Sequence, residues 1–218
     1  MKNIFVSKNK IFNVPFKFKI ENDKFNKKVY SRFSSQRIRL DIENEFDYDD
    51  NKSGLFDISF INNNTSLTYK INENSINFNS KSSKNKFDGL IEIKPFYLTA
   101  NFFYDGLSAR NLMSDENFLV ELIKSEIFKN KNFNSNIKFK IKNITNIAEL
   151  NNLFLNFNIK EGEIELSNSS LMWKEDLKIS LEECFLNYDG NQINLDGKLT
   201  LEFIDVENFY RSFQIKKN

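Results

Sequence analysis

The chain has 218 residues, a net charge of +1 and no histidine. Hydrophobic residues make up 40% and include 24 Phe, whereas Gly (6) and Pro (2) are scarce, which excludes a low-complexity or linker-like chain. The length fits one large all-β domain or two small ones. The single cysteine, Cys184, excludes an intramolecular disulfide.

Alternation of apolar and polar residues dominates the first half of the chain. A period of two is typical of antiparallel strands with one apolar and one wet face. The predicted strands place their apolar residues at Val14, Phe16, Phe18 and Ile20, at Ile38, Leu40, Ile42 and Phe46, at Phe56, Ile58 and Phe60, at Leu67, Tyr69 and Ile71, and at Ile76 and Phe78.

Charge is distributed unevenly over the first fifty residues. Residues 1–40 contain eleven Lys and Arg against Glu21 and Asp23, a local charge of +9, and residues 41–50 contain six acids. Such a basic arm could contact anionic lipid headgroups or nucleic acid. We favour a solvated outer strand face, because the lysines of the strand at 14–20 alternate with phenylalanines.

The stretch from Phe87 to Met113 leads into the first predicted helix. Asp-Gly pairs at 88–89 and 105–106 favour turns, because glycine reaches positive φ easily. Between them we predict one long strand, or two strands in line. Ser114 is a good N-cap for an amphipathic helix to about residue 129, and a second helix is expected at about 205–213.

Alternation resumes in the second half. Its predicted strands carry Ile137, Phe139 and Ile141, and then Leu153, Leu155, Phe157 and Ile159. Between residues 175 and 188 the alternation slips by one residue, which predicts a β-bulge and puts Cys184 on the apolar face. We expect a buried, inert thiol there, because no histidine is present to act as its base.

Glycines at matching intervals suggest a weak internal repeat. Each of the four precedes a predicted strand, and the separation is 35 residues in both halves, from Gly54 to Gly89 and from Gly162 to Gly197. A repeated interval of this kind is typical of a duplicated hairpin unit.

No arrangement of residues in the sequence indicates chemistry. The acidic segment at 47–51, followed by Gly54, does not have the spacing of a calcium loop. Glu182 and Glu183 are neighbours on a predicted strand and therefore point to opposite faces. P-loop, dinucleotide and zinc motifs are all missing from the sequence. We expect a protein that is not an enzyme and binds no cofactor and no metal.

The abundant Phe, Ile and Leu on one strand face have two interpretations. In a closed sandwich they form the core, and in an open, curved sheet they form an apolar groove able to hold acyl chains. The candidate groove residues are Phe16, Phe18, Ile38, Leu40, Phe139, Leu155 and Phe157.

The order of elements resembles the AsmA-like family, which includes the YhdP and TamB relatives. The resemblance rests on residues 88–96, on the run from Asp105 to Leu112, and on residues 157–166, which follow a strand, acidic-Gly turn, strand pattern. It implies a periplasmic protein, anchored in the inner membrane, that conducts phospholipid toward the outer membrane. Because the family's N-terminal membrane helix is missing from this sequence, we expect the chain to be a piece of a longer protein.

Together these features predict a mainly β chain: a long, twisted, antiparallel sheet forming an open β-groove, with two short amphipathic helices. We treat residues 1–218 as one β-rich region, with a possible division into 1–113, 114–130 and 131–218. The expected function is non-catalytic binding or conduction of lipid, with phospholipid acyl chains and a membrane as partners and no nucleic acid. The alternatives are a closed structural or adhesive β domain and a piece of an outer-membrane barrel.

Overall fold

The chain is mainly β, as predicted. The computed structural model describes residues 2–11, 14–37, 39–48, 52–60, 63–81, 85–108, 123, 127–190 and 192–213. Within these residues fifteen strands belong to one hydrogen-bonded sheet. The chain divides into two compact units, the first made of residues 1–100 and 118–127 and the second of residues 101–117 and 128–218.

Eight strands of the first unit form a meander. Each strand pairs antiparallel with the next along the chain. They are β1 (Lys2–Ile11), β2 (Val14–Asp23), β3 (Lys28–Ser35), β4 (Leu40–Asp47), β5 (Ser53–Phe60), β6 (Asn63–Ile71), β7 (Ser75–Ser80) and β8 (Asn85–Ile93).

The strands expected in the first half are confirmed as β2, β4, β5, β6 and β7. Two further strands, β1 and β3, were not predicted. In β1 the apolar residues Ile4, Phe5 and Val6 are consecutive, so no alternation is visible. In β3 a serine, Ser31, interrupts the apolar series between Val29 and Phe33.

The turns predicted for the stretch after Phe87 were in the wrong positions. The chain reverses at Lys94–Pro95, between β8 and β9 (Phe96–Ser108), so this stretch is neither one strand nor two in line. Asp88–Gly89 lies inside β8 and Asp105–Gly106 lies inside β9. A Cβ at Gly89 would be 2.2 Å from the Phe78 ring on β7. Glycine is therefore needed at this position because the Phe78 ring packs against its backbone, and not because the chain turns there.

One of the two predicted helices can be compared with the structure. Helix α1 (Val206–Phe213) confirms the helix expected at 205–213. The helix expected at about 115–129 lies outside the described residues except at 123 and at Ile127–Lys129, which form a 3-10 turn.

The second unit contains residues 101–108 of β9 and six more strands. They are β10 (Asn134–Thr145), β11 (Leu150–Lys160), β12 (Glu163–Glu165), β13 (Ser169–Trp173), β14 (Leu177–Tyr188) and β15 (Ile193–Phe203). Both β12 and β13 pair with β11 on one side and β14 on the other, so together they fill one strand position. The last strand, β15, pairs antiparallel with β14.

Two local predictions for the second unit are confirmed. The acidic-Gly turn is a two-residue hairpin between β11 and β12, in which Glu161 (φ 53°) and Gly162 (φ 92°) both have positive φ. The β14–β15 register shifts between Glu182 and Phe185, which is the expected bulge. At this bulge Cys184 is buried, with only 2% of its surface exposed.

The core of the second unit lies around β10, β11 and β14. Phe157 is opposite Ile137, and Ile159 is opposite Ile164 on the short strand β12. The buried apolar residues of this unit are Phe128, Ile141, Ile144, Phe157, Ile159, Ile164, Leu166, Leu177 and Cys184. Over the described part of the chain, no helix has the length and hydropathy needed to span a membrane.

Candidate apolar binding face

One face of the first unit is apolar over several strands. Directly opposed residues of an antiparallel pair share a face, so the registers define it. Phe18 is opposite Phe33, Phe33 is opposite Ile42, and Ile42 is opposite Ile58. We call this surface the Phe18 face; its apolar residues on β2 to β7 include Phe16, Phe18, Ile20, Val29, Phe33, Leu40, Ile42, Phe46, Phe56, Ile58, Leu67, Tyr69, Ile71, Ile76 and Phe78.

The Phe18 face is only partly withdrawn from water. The apolar side chains named above are half-buried apart from Leu67 and Tyr69, which are buried. A row of half-buried aromatic and branched side chains differs from the fully buried interior of a closed core. It is an apolar surface on which further apolar groups can lie.

Aromatic rings cover two glycines of this face. Tyr69 is opposite Gly54, where an added Cβ would be 2.4 Å from the ring, and it stacks on Phe56 with 4.5 Å between centroids. Phe78 covers Gly89 on the neighbouring strand β8 in the same way. The two glycines therefore let the rings lie flat along the sheet.

The polar groups in the middle of the Phe18 face bond to one another. The Tyr69 hydroxyl donates to Oδ1 of Asn44 at 2.7 Å, and Nδ2 of Asn44 donates to Oγ of Ser31 at 3.1 Å. Burial raises the pKa of the Tyr69 hydroxyl. These hydrogen bonds give the polar side chains at the centre of the face partners within the protein.

The opposite surface of the first unit, here called the Arg32 face, is charged. Arg32 on β3 pairs with Asp41 and Glu43 on β4, and Lys28 pairs with Glu45. Lys2 pairs with Glu21 at 2.9 Å, and this contact lowers the pKa of Glu21. The basic and acidic segments of the sequence therefore meet on neighbouring strands, and much of their charge is compensated there.

In the second unit the candidate residues form an aromatic cluster. Phe139 on β10 is opposite Leu155 on β11. Its ring stacks on Phe102 with 4.8 Å between centroids and meets Phe157 edge to face at 5.8 Å. Phe157 is only 5% exposed, so it belongs to the core of this unit.

The structure thus places the seven candidate groove residues in two groups. Phe16, Phe18 and Leu40 lie on the Phe18 face of the first unit. Phe139, Leu155 and Phe157 lie together in the second unit, and Ile38 lies outside the described residues. Sequence reasoning missed Phe33, because its strand β3 was not predicted.

Over the described residues, no three His, Cys, Asp or Glu side chains are grouped so that they could hold a metal ion. Cys184 donates weakly to the carbonyls of Glu182 and Lys198, at 3.4 and 3.5 Å.

Comparison with known proteins does not identify a family for the chain: no family model, no curated protein and no solved structure matches it.

Proposed function

We propose that the chain is a non-catalytic, lipid-binding segment of a bacterial envelope protein, and that phospholipid acyl chains lie on the Phe18 face. The observation that carries the proposal is the contrast between the two surfaces of one sheet. One surface is apolar and only half-buried, whereas the other holds cross-strand ion pairs. An accessible apolar surface of this kind is typical of a binding site for an apolar ligand.

The dimensions of the Phe18 face suit an acyl chain. Strands lie about 4.8 Å apart, so the row from Phe18 to Ile58, across four strands, extends about 14 Å. Each methylene that leaves water contributes about 0.8 kcal/mol, and ten of them contribute about 8 kcal/mol before the entropy of the chain is counted. Binding of this kind requires an apolar surface but no catalytic group.

The resemblance to AsmA-like proteins supports the same proposal. It would make the chain part of a longer periplasmic protein that is anchored in the inner membrane and passes phospholipid toward the outer membrane. Nucleic acid is not the partner we propose, because acids on β4 compensate basic residues of β3.

A closed structural domain without a small ligand is the second candidate. The observation in its favour is the buried core of the second unit, which includes Ile141, Phe157 and Ile159. That unit has the dry apolar interior of an ordinary stable domain. We therefore assign lipid binding to the first unit.

Native mass spectrometry with lipid extraction, on the chain purified without detergent, tests the proposal. We expect bound phospholipid on the unchanged chain and its loss from an Ile42→Asn variant, because Ile42 lies in the middle of the Phe18 face. Leu55→Asn is the matched control, since Leu55 is also half-buried but lies opposite Glu45 on the Arg32 face.

The control variant should keep its lipid. Circular dichroism melting curves of the two variants check that both are folded. A folded, lipid-free chain, or equal lipid loss from both variants, would refute the proposal.

A further inference from the structure

β15 lies at an edge of the sheet and is unusually accessible. Among the described residues it pairs only with β14, and every residue after Ile193 is exposed. Its apolar side chains are among the most exposed of the protein: Leu195 is 52% exposed, Leu199 62% and Leu201 48%. An exposed, apolar edge strand is a template for pairing with another strand.

Backbone hydrogen bonds show which groups of β15 face away from β14. The amide of Ile204 donates to the carbonyl of Asp176, and the amide of Asp189 donates to the carbonyl of Gln192. Because bonded pairs alternate in an antiparallel ladder, the even-numbered residues of β15 point their backbone groups toward β14. The amides and carbonyls of Leu195, Leu199 and Leu201 therefore line the outer edge.

The other outer strand, β1, differs in its charge. It carries Lys2, Lys8 and Lys10 and no acid, so two copies of β1 placed side by side would repel each other. On β15, by contrast, Lys198 lies between two acids, Asp196 and Glu202. This alternation of sign allows the strand to pair with itself.

We propose that β15 is a dimerisation edge, at which two copies of the chain pair antiparallel about a two-fold axis at Gly197. In this register Asp196 of each copy faces Lys198 of the other, and Leu195 faces Leu199. The charged residues fall at non-hydrogen-bonded positions, where opposed side chains approach most closely. The leucines fall at hydrogen-bonded positions, because their backbone groups line the outer edge.

Charge also excludes two neighbouring registers. An axis at Lys198 places Lys198 of one copy opposite Lys198 of the other. An axis at Leu199 places Asp196 of each copy opposite Glu202 of the other. Opposed like charges destabilise a strand pair. An axis at Thr200 pairs Lys198 with Glu202 and avoids repulsion, so an experiment must separate it from the axis at Gly197. The contact of Lys198 with Glu183 inside each copy, at 2.6 Å, is exposed and leaves the ammonium further donors.

Sedimentation equilibrium of the full chain over a concentration series tests the dimer. We expect a dimer for the unchanged chain. Asp196→Lys and Lys198→Asp should each weaken it by about tenfold or more, because each variant sets like charges opposite each other twice. An equimolar mixture of the two variants should restore dimers, since the two lysine side chains of one variant then face the two aspartate side chains of the other.

Two outcomes would overturn the proposal. One is an unchanged chain that stays monomeric at every concentration. The other is an Asp196→Lys variant that dimerises as well as the unchanged chain while Lys198→Asp does not, which is the behaviour expected for an axis at Thr200. The charges of both residues are exposed, so circular dichroism spectra should be unaltered in either variant.

Discussion

The two units share antiparallel strands with alternating side chains, yet they bury their apolar residues to different extents. Among the described residues the first unit buries Leu67, Tyr69, Ala100 and Ile123, and the second buries a longer set centred on Ile141, Phe157 and Ile159. Alternation alone therefore does not make a core. A core also needs other segments of the chain to cover the apolar face.

The second unit supplies such segments. Phe128, at the 3-10 turn, is buried and packs on Phe133 with 5.6 Å between centroids. Helix α1 adds ring contacts nearer the surface: Phe213 stacks on Trp173, and the Phe209 ring meets Phe203 edge to face, while none of the α1 residues is buried. Among the described residues of the first unit, the strands keep a half-buried apolar face, and Ile123 is a buried residue outside the strands. Ladder hydrogen bonds and the ion pairs of the Arg32 face join the strands.

Truncating one phenylalanine in each unit gives the largest expected contrast. Phe157→Ala should lower the free energy of unfolding by about 3–5 kcal/mol, because it leaves a cavity in a dry core. Phe18→Ala, on the half-buried face, should lower it by only about 1–2 kcal/mol. Urea unfolding followed by circular dichroism measures both values. Equal losses would show that the two environments do not differ.

Adding a methyl group to a strand glycine comes next in size. Gly89→Ala should destabilise by about 1–3 kcal/mol, because the new Cβ would meet the Phe78 ring and the Thr99 carbonyl oxygen at 2.2 and 2.4 Å. Gly106→Ala is the control: its nearest neighbour would be Thr145 at 3.6 Å, and the change should stabilise by about 0.5–1 kcal/mol. Thermal melting separates the two, and a harmless Gly89→Ala would contradict the close packing.

Loss of the helix cap tests how the second unit is covered. Oδ1 of Asp205 accepts from the amide of Asn208 at 2.9 Å, so Asp205→Ala should destabilise α1 by about 1 kcal/mol. The fluorescence of Trp173, the only tryptophan, should then report a wetter ring, because Phe213 on α1 stacks on it. Asp205→Asn keeps an acceptor and should behave like the unchanged chain. An unaltered spectrum for Asp205→Ala would mean that the cap does not hold the helix.

Acid should weaken the first unit slightly. The amides of Asn26 and Phe25 donate to the carboxylate of Asp23 and lower its pKa. A carboxyl whose pKa is lowered by folding stabilises above its unfolded pKa of about 3.9, and this contribution is lost as the pH falls below that value. Urea unfolding between neutral pH and pH 3 should show a shallower loss for Asp23→Asn. The same slope in both proteins would rule out this carboxyl as a source of acid sensitivity.

Several features follow from the sequence because they are local. The hairpin at Glu161–Gly162, the phase slip before Cys184 and helix α1 each depend on residues within a few positions of one another. The face of each alternating strand follows from the period of two as well. For the same reason Phe16, Phe18 and Leu40 could be assigned to one face before the pairing of the strands was known.

Other features depend on residues that are distant in the chain. Asp88–Gly89 has the composition of a turn, but the ring of Phe78 on the neighbouring strand makes glycine necessary there. Strand β3, whose own alternation is weak, is fixed by its pairing with β2 and β4. Whether Phe18 or Phe157 becomes buried depends on the segments that pack over it, and a strand's own alternation carries no information about them. Most strands and their faces therefore follow from local alternation in the sequence. Strands β1 and β3, and the choice of which faces become core, follow from pairing and packing between distant residues.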